Sequence, residues 1–143
     1  MLRTIVTVSF SGEPIEIVRE VPLSQQEAFS RLTDWQRHAD VVPLTTVRLT
    51  DSGFIARTGL GRLGFDDPMD VVEWDPPRFC RLEKRGRVIR GWAEISVSPT
   101  ASGSKIVWRE IGHVTGVPRV FARVEKAAGT ALFARLLNGL TRT

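Results

Sequence analysis

The sequence predicts an α+β fold in which an antiparallel sheet of about six to seven strands packs against one long C-terminal helix. Residues 41–114 consist of short alternating segments separated by turn residues at strand spacing, so hairpin-linked strands are expected there. A long helical pattern lies at residues 118–140. Because an amphipathic helix must bury its apolar side, the sheet is its expected partner.

The predicted strands begin with an N-terminal hairpin and continue as a meander. Residues 1–10 and 15–21 both alternate apolar with polar residues, and a turn at residues 11–14 can join them. This alternation at the N-terminus is also unlike a signal peptide. The later strands are expected at residues 45–50, 54–58, 69–74, 79–83, 88–97 and 105–114.

Two short helices are predicted between the first main strand and the meander. Ser24 and Glu27 fit a capping box, in which the hydroxyl and the carboxylate each satisfy a free backbone donor at a helix start. Residues 33–36 repeat this pattern, so the second helix is expected to run from Trp35 towards Ala39.

The C-terminal helix carries two apolar patches. Residues 120–132 place their apolar side chains on one side, whereas Phe133, Leu136, Leu137 and Leu140 centre about half a turn away. A bend near Gly129 would let both patches reach the sheet and the short helices, and this is the favoured interpretation. The alternative is an exposed second patch that contacts a partner, a membrane or a second copy of the chain, which would make a homodimer through those four residues possible.

Length and composition indicate one domain, over residues 1–143, that needs no disulfide or metal to fold. The lone Cys80 cannot form an intramolecular bridge, which is compatible with a cytoplasmic protein. No apolar run approaches the length of a transmembrane segment. The net charge is +4, but the basic residues are dispersed among acids without interleaved aromatic residues, so a nucleic-acid partner is not expected.

Several short segments carry a resemblance of this chain to a known family: residues 21–22, 32–35, 74–78 and 103–108 and the terminal helix. In these segments the chain resembles the SRPBCC superfamily, with its START-like helix-grip fold, and most of all the polyketide cyclase/dehydrase-like bacterial branch. The resemblance implies a curved sheet that wraps around the C-terminal helix and leaves a deep, mostly apolar cavity between them. None of the matching segments is catalytic.

Two segments imitate cofactor and metal signatures, and both are interpreted as accidental. Residues 59–64 match G-x-G-x-x-G, but a strand rather than a helix is predicted to follow, so no helix N-terminus would receive a pyrophosphate. Asp66, Asp67 and Asp70 have the D-D-x-x-D spacing, but Pro68 and the following strand place them on different faces. Neither a cofactor nor a metal ion is therefore predicted.

The few other reactive side chains do not form a recognisable catalytic pattern. His38 and His113 are far apart in sequence, and nothing in the spacing places Cys80 beside a histidine, so satisfied or exposed histidines are the favoured interpretation. Tyrosine is absent, which leaves arginines and carboxylates as the expected polar groups in an interior.

Strand alternation narrows the residues that face the helix. If Ala93 and its apolar neighbours point inward, then Trp108 and Glu110 on the last strand do so as well. A buried Glu110 needs a partner, and Arg57 is the candidate, although the facing of its strand is left open. Such a pair could be structural or could orient the polar group of a ligand.

The leading functional hypothesis is binding of a bulky hydrophobic small molecule, such as a lipid, quinone, isoprenoid or polyketide. The alternative is a polyketide aromatase/cyclase in which Arg57, Asp70 or Glu110 moves protons. A third possibility is an interaction module whose cavity is vestigial. The predicted ligand-binding residues are Trp35, Arg57, Met69, Val71, Trp108, Glu110, Phe121 and Val124.

Overall fold

The computed structural model describes residues 4–7, 14–116 and 122–142, with side chains described in 14–116, 130–132 and 134–142. Its eight strands form one antiparallel sheet. They are β1 (Thr4–Thr7), β2 (Ile15–Val21), β3 (Thr45–Leu49), β4 (Gly53–Thr58), β5 (Phe65–Asp75), β6 (Phe79–Arg85), β7 (Ile89–Thr100) and β8 (Gly103–Val114).

The sheet confirms the predicted meander. Strands β3 to β8 follow one another in space as they do in sequence, and β2 closes the far side against β8, giving the order β1-β2-β8-β7-β6-β5-β4-β3. The curled sheet and the C-terminal helix together make the α+β helix-grip fold. The N-terminal hairpin adds the short β1, which accounts for a sheet slightly larger than the predicted six to seven strands.

The main boundary difference lies in β5, which begins at Phe65 instead of residue 69. Pro68 was expected to precede the strand, and a proline has no N–H to donate to a strand ladder. In the structure Pro68 pairs with Ile55 of β4, and the ladder to β6 begins one residue later, at Met69 opposite Lys84. The missing N–H therefore costs no hydrogen bond between β5 and β6.

Three helices cover one face of the sheet: α1 (Gln25–Leu32), α2 (Trp35–Val41) and α3 (Ala122–Leu140). Half of the predicted capping box is present: Ser24 Oγ accepts a hydrogen bond from Glu27 N at 3.1 Å, whereas Glu27 Oε1 accepts one from Arg31 Nη2 at 2.7 Å. The capping pattern predicted at residues 33–36 is wrong. Asp34 occupies the N-cap position of α2 without a side-chain cap, and Thr33 Oγ1 instead donates to Phe29 O at the end of α1.

The end of α3 is buried within the single chain. Leu136, Leu137 and Leu140 are at most 4% exposed and belong to the core. A side chain at Gly139 would approach Val41 Cγ1 to 2.2 Å, so α2 and α3 meet closely at this glycine. These three leucines therefore offer no surface to a second copy, and a homodimer stays a prediction. The Phe133 side chain and the predicted bend at Gly129 lie outside the described side chains.

The helix-facing side of the sheet, called the inner face from here on, carries most of the core. As predicted, Ala93 and its neighbours Ile95 and Val97 are buried there, and Trp108 and Glu110 share their side of β8. The inner residues of β4 and β5 include Phe54 and Met69, which pair directly across the two strands. Alternate residues on these strands face the outside.

The two look-alike motifs are explained by their structure. Residues 59–64 form the connection from β4 to β5 with a short 3-10 turn at Gly61–Leu63, and a strand follows. Asp66, Asp67 and Asp70 all lie on β5, and Asp67 points inward while its neighbour Asp66 is exposed. Within the described part of the chain, no group of acidic, histidine and cysteine side chains is arranged to hold a metal ion.

Candidate functional site

Three charged side chains meet on the inner face of the sheet. Lys84 Nζ lies 3.2 Å from Asp67 Oδ2 and 3.2 Å from Glu110 Oε1. The side chains of Asp67, Lys84 and Glu110 are only 9%, 6% and 2% exposed. We call this acid–lysine–acid arrangement the inner triad. Ion pairs so deeply buried are uncommon because desolvating each charge costs free energy.

The register of the sheet explains how Lys84 reaches Glu110. Lys84 on β6 lies opposite Gly91 on β7, which in turn lies opposite Gly112 on β8. Neither glycine has a side chain to fill the inner face at that row. Glu110 is one inward position along β8, opposite the small Ala93. The long lysine side chain can therefore cross β7 without meeting a bulky residue.

Hydrogen-bond accounting leaves one atom of the triad without a partner. Lys84 Nζ has its two carboxylate contacts and a weak contact with Met69 Sδ at 3.9 Å, which occupies its three N–H groups. Glu110 Oε2 accepts a 2.9 Å bond from Trp108 Nε1, so both of its oxygens are engaged. Asp67 Oδ1 is buried with no hydrogen-bond partner.

The charges of the triad shift one another's protonation. Burial raises the pKa of Glu110 and of Asp67, and the nearby Lys84 ammonium opposes both shifts without cancelling them. Burial alone would lower the pKa of Lys84, but Glu110 and Asp67 raise it above its ordinary value. The triad thus retains a charged lysine and has carboxyl groups that take up a proton more readily than exposed ones.

An aromatic cluster lies beside the triad. Trp35 stacks on Phe54 with ring centroids 4.9 Å apart, and His38 lies 5.4 Å from Trp35 and 6.3 Å from Trp108. His38 Nε2 is 2.9 Å from Leu32 O, and since a carbonyl only accepts, Nε2 is the protonated nitrogen. Burial lowers the pKa of His38, which favours a neutral imidazole in this apolar setting.

The predicted partnership between Glu110 and Arg57 is wrong. Arg57 lies on the outward side of β4, where Nη1 binds Asp66 Oδ1 at 3.0 Å and Nη2 donates to Gly61 O at 2.8 Å. Arg57 therefore lies away from the inner face, and its ligand-binding role stays a prediction. Its strand places Phe54 and Ala56 inward instead, the alternative that the sequence analysis left open.

The other predicted site residues divide between the inner face, the outside and the undescribed segment. Asp70 is bound by Ser52 Oγ at 2.7 Å and by Arg85 Nε at 3.2 Å at the surface, away from the triad. Glu110 is buried as predicted. Trp35 and Trp108 belong to the buried core, and Met69 and Val71 are half-buried against it. Phe121 and the side chain of Val124 lie outside the described residues.

Sequence reasoning missed Lys84 and Asp67, although a signal for each was present. Lys84 lies one residue beyond the strand predicted at residues 79–83, yet it shares strand parity with the apolar Leu82. Asp67 was assigned to a loop, yet it shares parity with Met69 and Val71. Extending the alternation of β5 and β6 by two residues would have placed both on the inner face.

Solved structures of other proteins share this fold over most of the chain. The di-domain ARO/CYC StfQ from the steffimycin biosynthetic pathway matches with a TM-score of 0.72 at 12% identity, over 90% of this chain and 49% of that one. A START superfamily protein from Mycobacterium smegmatis matches with a TM-score of 0.72 at 13% identity, over 91% of this chain and 97% of that one. A conserved protein from Geobacillus kaustophilus matches with a TM-score of 0.63 at 15% identity, over 87% of this chain and 91% of that one.

These likenesses confirm the resemblance at the level of the fold. The chain has the helix-grip fold that these solved structures share. No protein-family model and no curated protein sequence matches it. Among the helices that the structure describes, none combines the length and apolarity needed to cross a membrane.

Proposed function

We propose that this protein binds a bulky apolar small molecule against the inner face of its sheet, with the inner triad as the polar anchor. The observation that carries the proposal is the burial of Asp67, Lys84 and Glu110 among apolar side chains, with one carboxylate oxygen lacking a partner. Well-packed apolar residues would stabilise the same position at least as well as a buried ion pair. A ligand that uses the triad is a reason to retain it.

The apolar surroundings supply the rest of the affinity. Met69 and Val71 are half-buried on β5, next to the triad, and Trp35 and Trp108 present large aromatic surfaces nearby. Ligand sites of this class are mainly apolar with a few polar groups that fix orientation. Apolar area removed from water would give about 25 cal/mol per Å², which makes a large ligand more favourable than a small one.

The test is ligand binding by protein purified without detergent. Native mass spectrometry should reveal a co-purifying small molecule, and the neutral dye Nile red should bind with a fluorescence increase. Val71→Phe, which adds bulk on the inner face, should weaken Nile red binding at least about tenfold. Val72→Phe is the matched control, because Val72 is 45% exposed and points the other way.

Two results would contradict this proposal. One is an absence of both a co-purifying molecule and dye binding. The other is an equal loss of dye affinity in the Val71→Phe and Val72→Phe variants, since that would place the dye on the outer surface.

A second candidate function is aromatase/cyclase chemistry on a poly-β-keto chain. It is favoured by the pKa of Glu110 and of Asp67, which burial raises above the ordinary range, because such a carboxyl group holds a proton more readily than an exposed one and can act as a general acid. The solved ARO/CYC StfQ shares the fold. Glu110→Gln should abolish formation of an aromatic product from a poly-β-keto thioester while Nile red binding persists. Product formation at the wild-type rate by that variant would exclude Glu110 as the proton-transfer group.

A further inference from the structure

We infer that Asp67 Oδ1 accepts a hydrogen bond from the ligand, so that the site selects apolar molecules bearing a hydroxyl or ammonium group over apolar carboxylates and ketones. This inference rests on the proposed function, since it names the class of ligand for the same site. Asp67 is the residue that would determine specificity.

Most hydrogen-bonding groups of the inner triad already have partners within the protein. The N–H groups of Lys84 are directed at Asp67, Glu110 and Met69. Glu110 receives Lys84 on one oxygen and Trp108 Nε1 on the other. Among the described side chains, Asp67 Oδ1 is the buried polar atom for which no partner exists. A buried acceptor without a donor costs free energy, and a ligand donor would recover it.

The charge of the triad points in the same direction. Two carboxyl groups surround one ammonium group, so a carboxylate or phosphate on the ligand would meet more negative than positive charge. Such an anion would also find no uncommitted N–H group on Lys84. A ligand ammonium would balance the two carboxylates, and a hydroxyl would supply a donor without adding charge.

Replacement of Asp67 by asparagine gives an unusually sharp test. Lys84 Nζ, 3.2 Å from Oδ2, requires an oxygen at that position. The amide of Asp67→Asn should therefore direct its oxygen at Lys84 and place its NH2 group where Oδ1 was. An acceptor becomes a donor at the ligand-facing position, and the preference among ligands should reverse rather than merely weaken.

The experiment compares head groups on one apolar chain, using decanol, decylamine, octyl methyl ketone and decanoate in displacement of Nile red. Wild-type protein should bind decanol or decylamine at least about tenfold more tightly than the ketone and decanoate. Asp67→Asn should prefer the ketone over both donors. Asp66→Asn, which changes the adjacent exposed carboxylate, should keep the wild-type order.

A measurement on wild-type protein alone keeps the inference testable even if Asp67→Asn does not fold. Decyl methyl ether keeps the oxygen of decanol but carries a methyl group in place of the donor hydrogen, and it should bind about tenfold more weakly. If no member of the series displaces Nile red, the proposed function fails. If all bind equally, or wild-type protein prefers the ketone or decanoate, the proposed function stands and the acceptor role of Asp67 is refuted.

Discussion

Asp66 and Asp67 are neighbours on β5, and each binds a basic side chain, but the two pairs differ in almost everything except distance. Asp66 lies 3.0 Å from Arg57, with both side chains about half exposed. Asp67 lies 3.2 Å from Lys84, with both side chains more than 90% buried. We call the first the outer pair. A step of one residue along a strand turns a side chain to the opposite face, and that alone separates them.

Burial decides how much an ion pair affects the stability of the fold. An exposed pair such as Arg57–Asp66 contributes about 0–1 kcal/mol to stability, because water screens both charges. In the inner triad each group depends on the others, since an unpaired buried charge is far more costly. The outer pair can therefore be explained as part of a solvated surface, whereas the inner triad needs a reason to exist.

Replacing the basic residue of the inner triad and that of the outer pair by methionine should give the largest difference in the free energy of unfolding. Lys84→Met leaves Asp67 and Glu110 buried without a cation, so its free energy of unfolding should fall by about 3–5 kcal/mol. Arg57→Met should lower it by no more than about 1 kcal/mol. Urea denaturation followed by tryptophan fluorescence measures both. Similar losses in the two variants would contradict the distinction between inner and outer charges.

The next largest effect on stability is expected at Gly91, which lies opposite Lys84 in the sheet. Gly91 has φ +148°, and a Cβ there would lie 1.8 Å from Ile111 O, so Gly91→Ala must shift the β7–β8 ladder beside the triad. We expect a loss of about 1–3 kcal/mol in thermal or urea unfolding. The control is Gly61→Ala in the outer connection, where φ is +52° but no atom lies within 4 Å. An equally large loss at Gly61 would mean that φ alone, not the crowded ladder, sets the cost.

Most of the fold, but only part of the inner triad, could be predicted from the sequence. The meander, the three helices and the burial of Glu110 follow from alternation, capping and turn residues, all of which are local. The predicted partner of Glu110 was wrong because the true partner depends on the register between β6, β7 and β8. The long Lys84 side chain can reach Glu110 because Gly91 and Gly112 leave room at that level of the sheet. Strand parity with Leu82 was enough to place Lys84 on the inner face, but only the register shows that it reaches Glu110 across β7.

The last expected effect is a pH dependence of stability that comes from the two inner carboxyl groups. The pKa of Asp67 and of Glu110 is raised above the ordinary values of 3.8 and 4.5 by burial. Folding therefore favours their protonated forms. Their contribution to stability is fully present below those ordinary values and is lost as the pH rises through the raised ones.

The measurement is the difference in unfolding free energy between wild-type protein and the double variant Asp67→Asn, Glu110→Gln, across a pH series. As the pH rises above 4.5, wild-type stability should fall relative to the double variant by up to about 1.4 kcal/mol per pH unit for each proton released. His38, whose pKa burial lowers, gains stability as the pH rises, but it is present in both proteins and cancels. Lys84 does not cancel: in wild type its raised pKa adds a change only above 10.5, whereas in the double variant burial alone lowers its pKa and adds a gain in stability with rising pH. The single variants Asp67→Asn and Glu110→Gln, which each leave Lys84 one carboxyl partner, are therefore measured as well. A wild-type curve that rises with pH relative to the double variant would mean that Lys84 holds both carboxyl groups ionised.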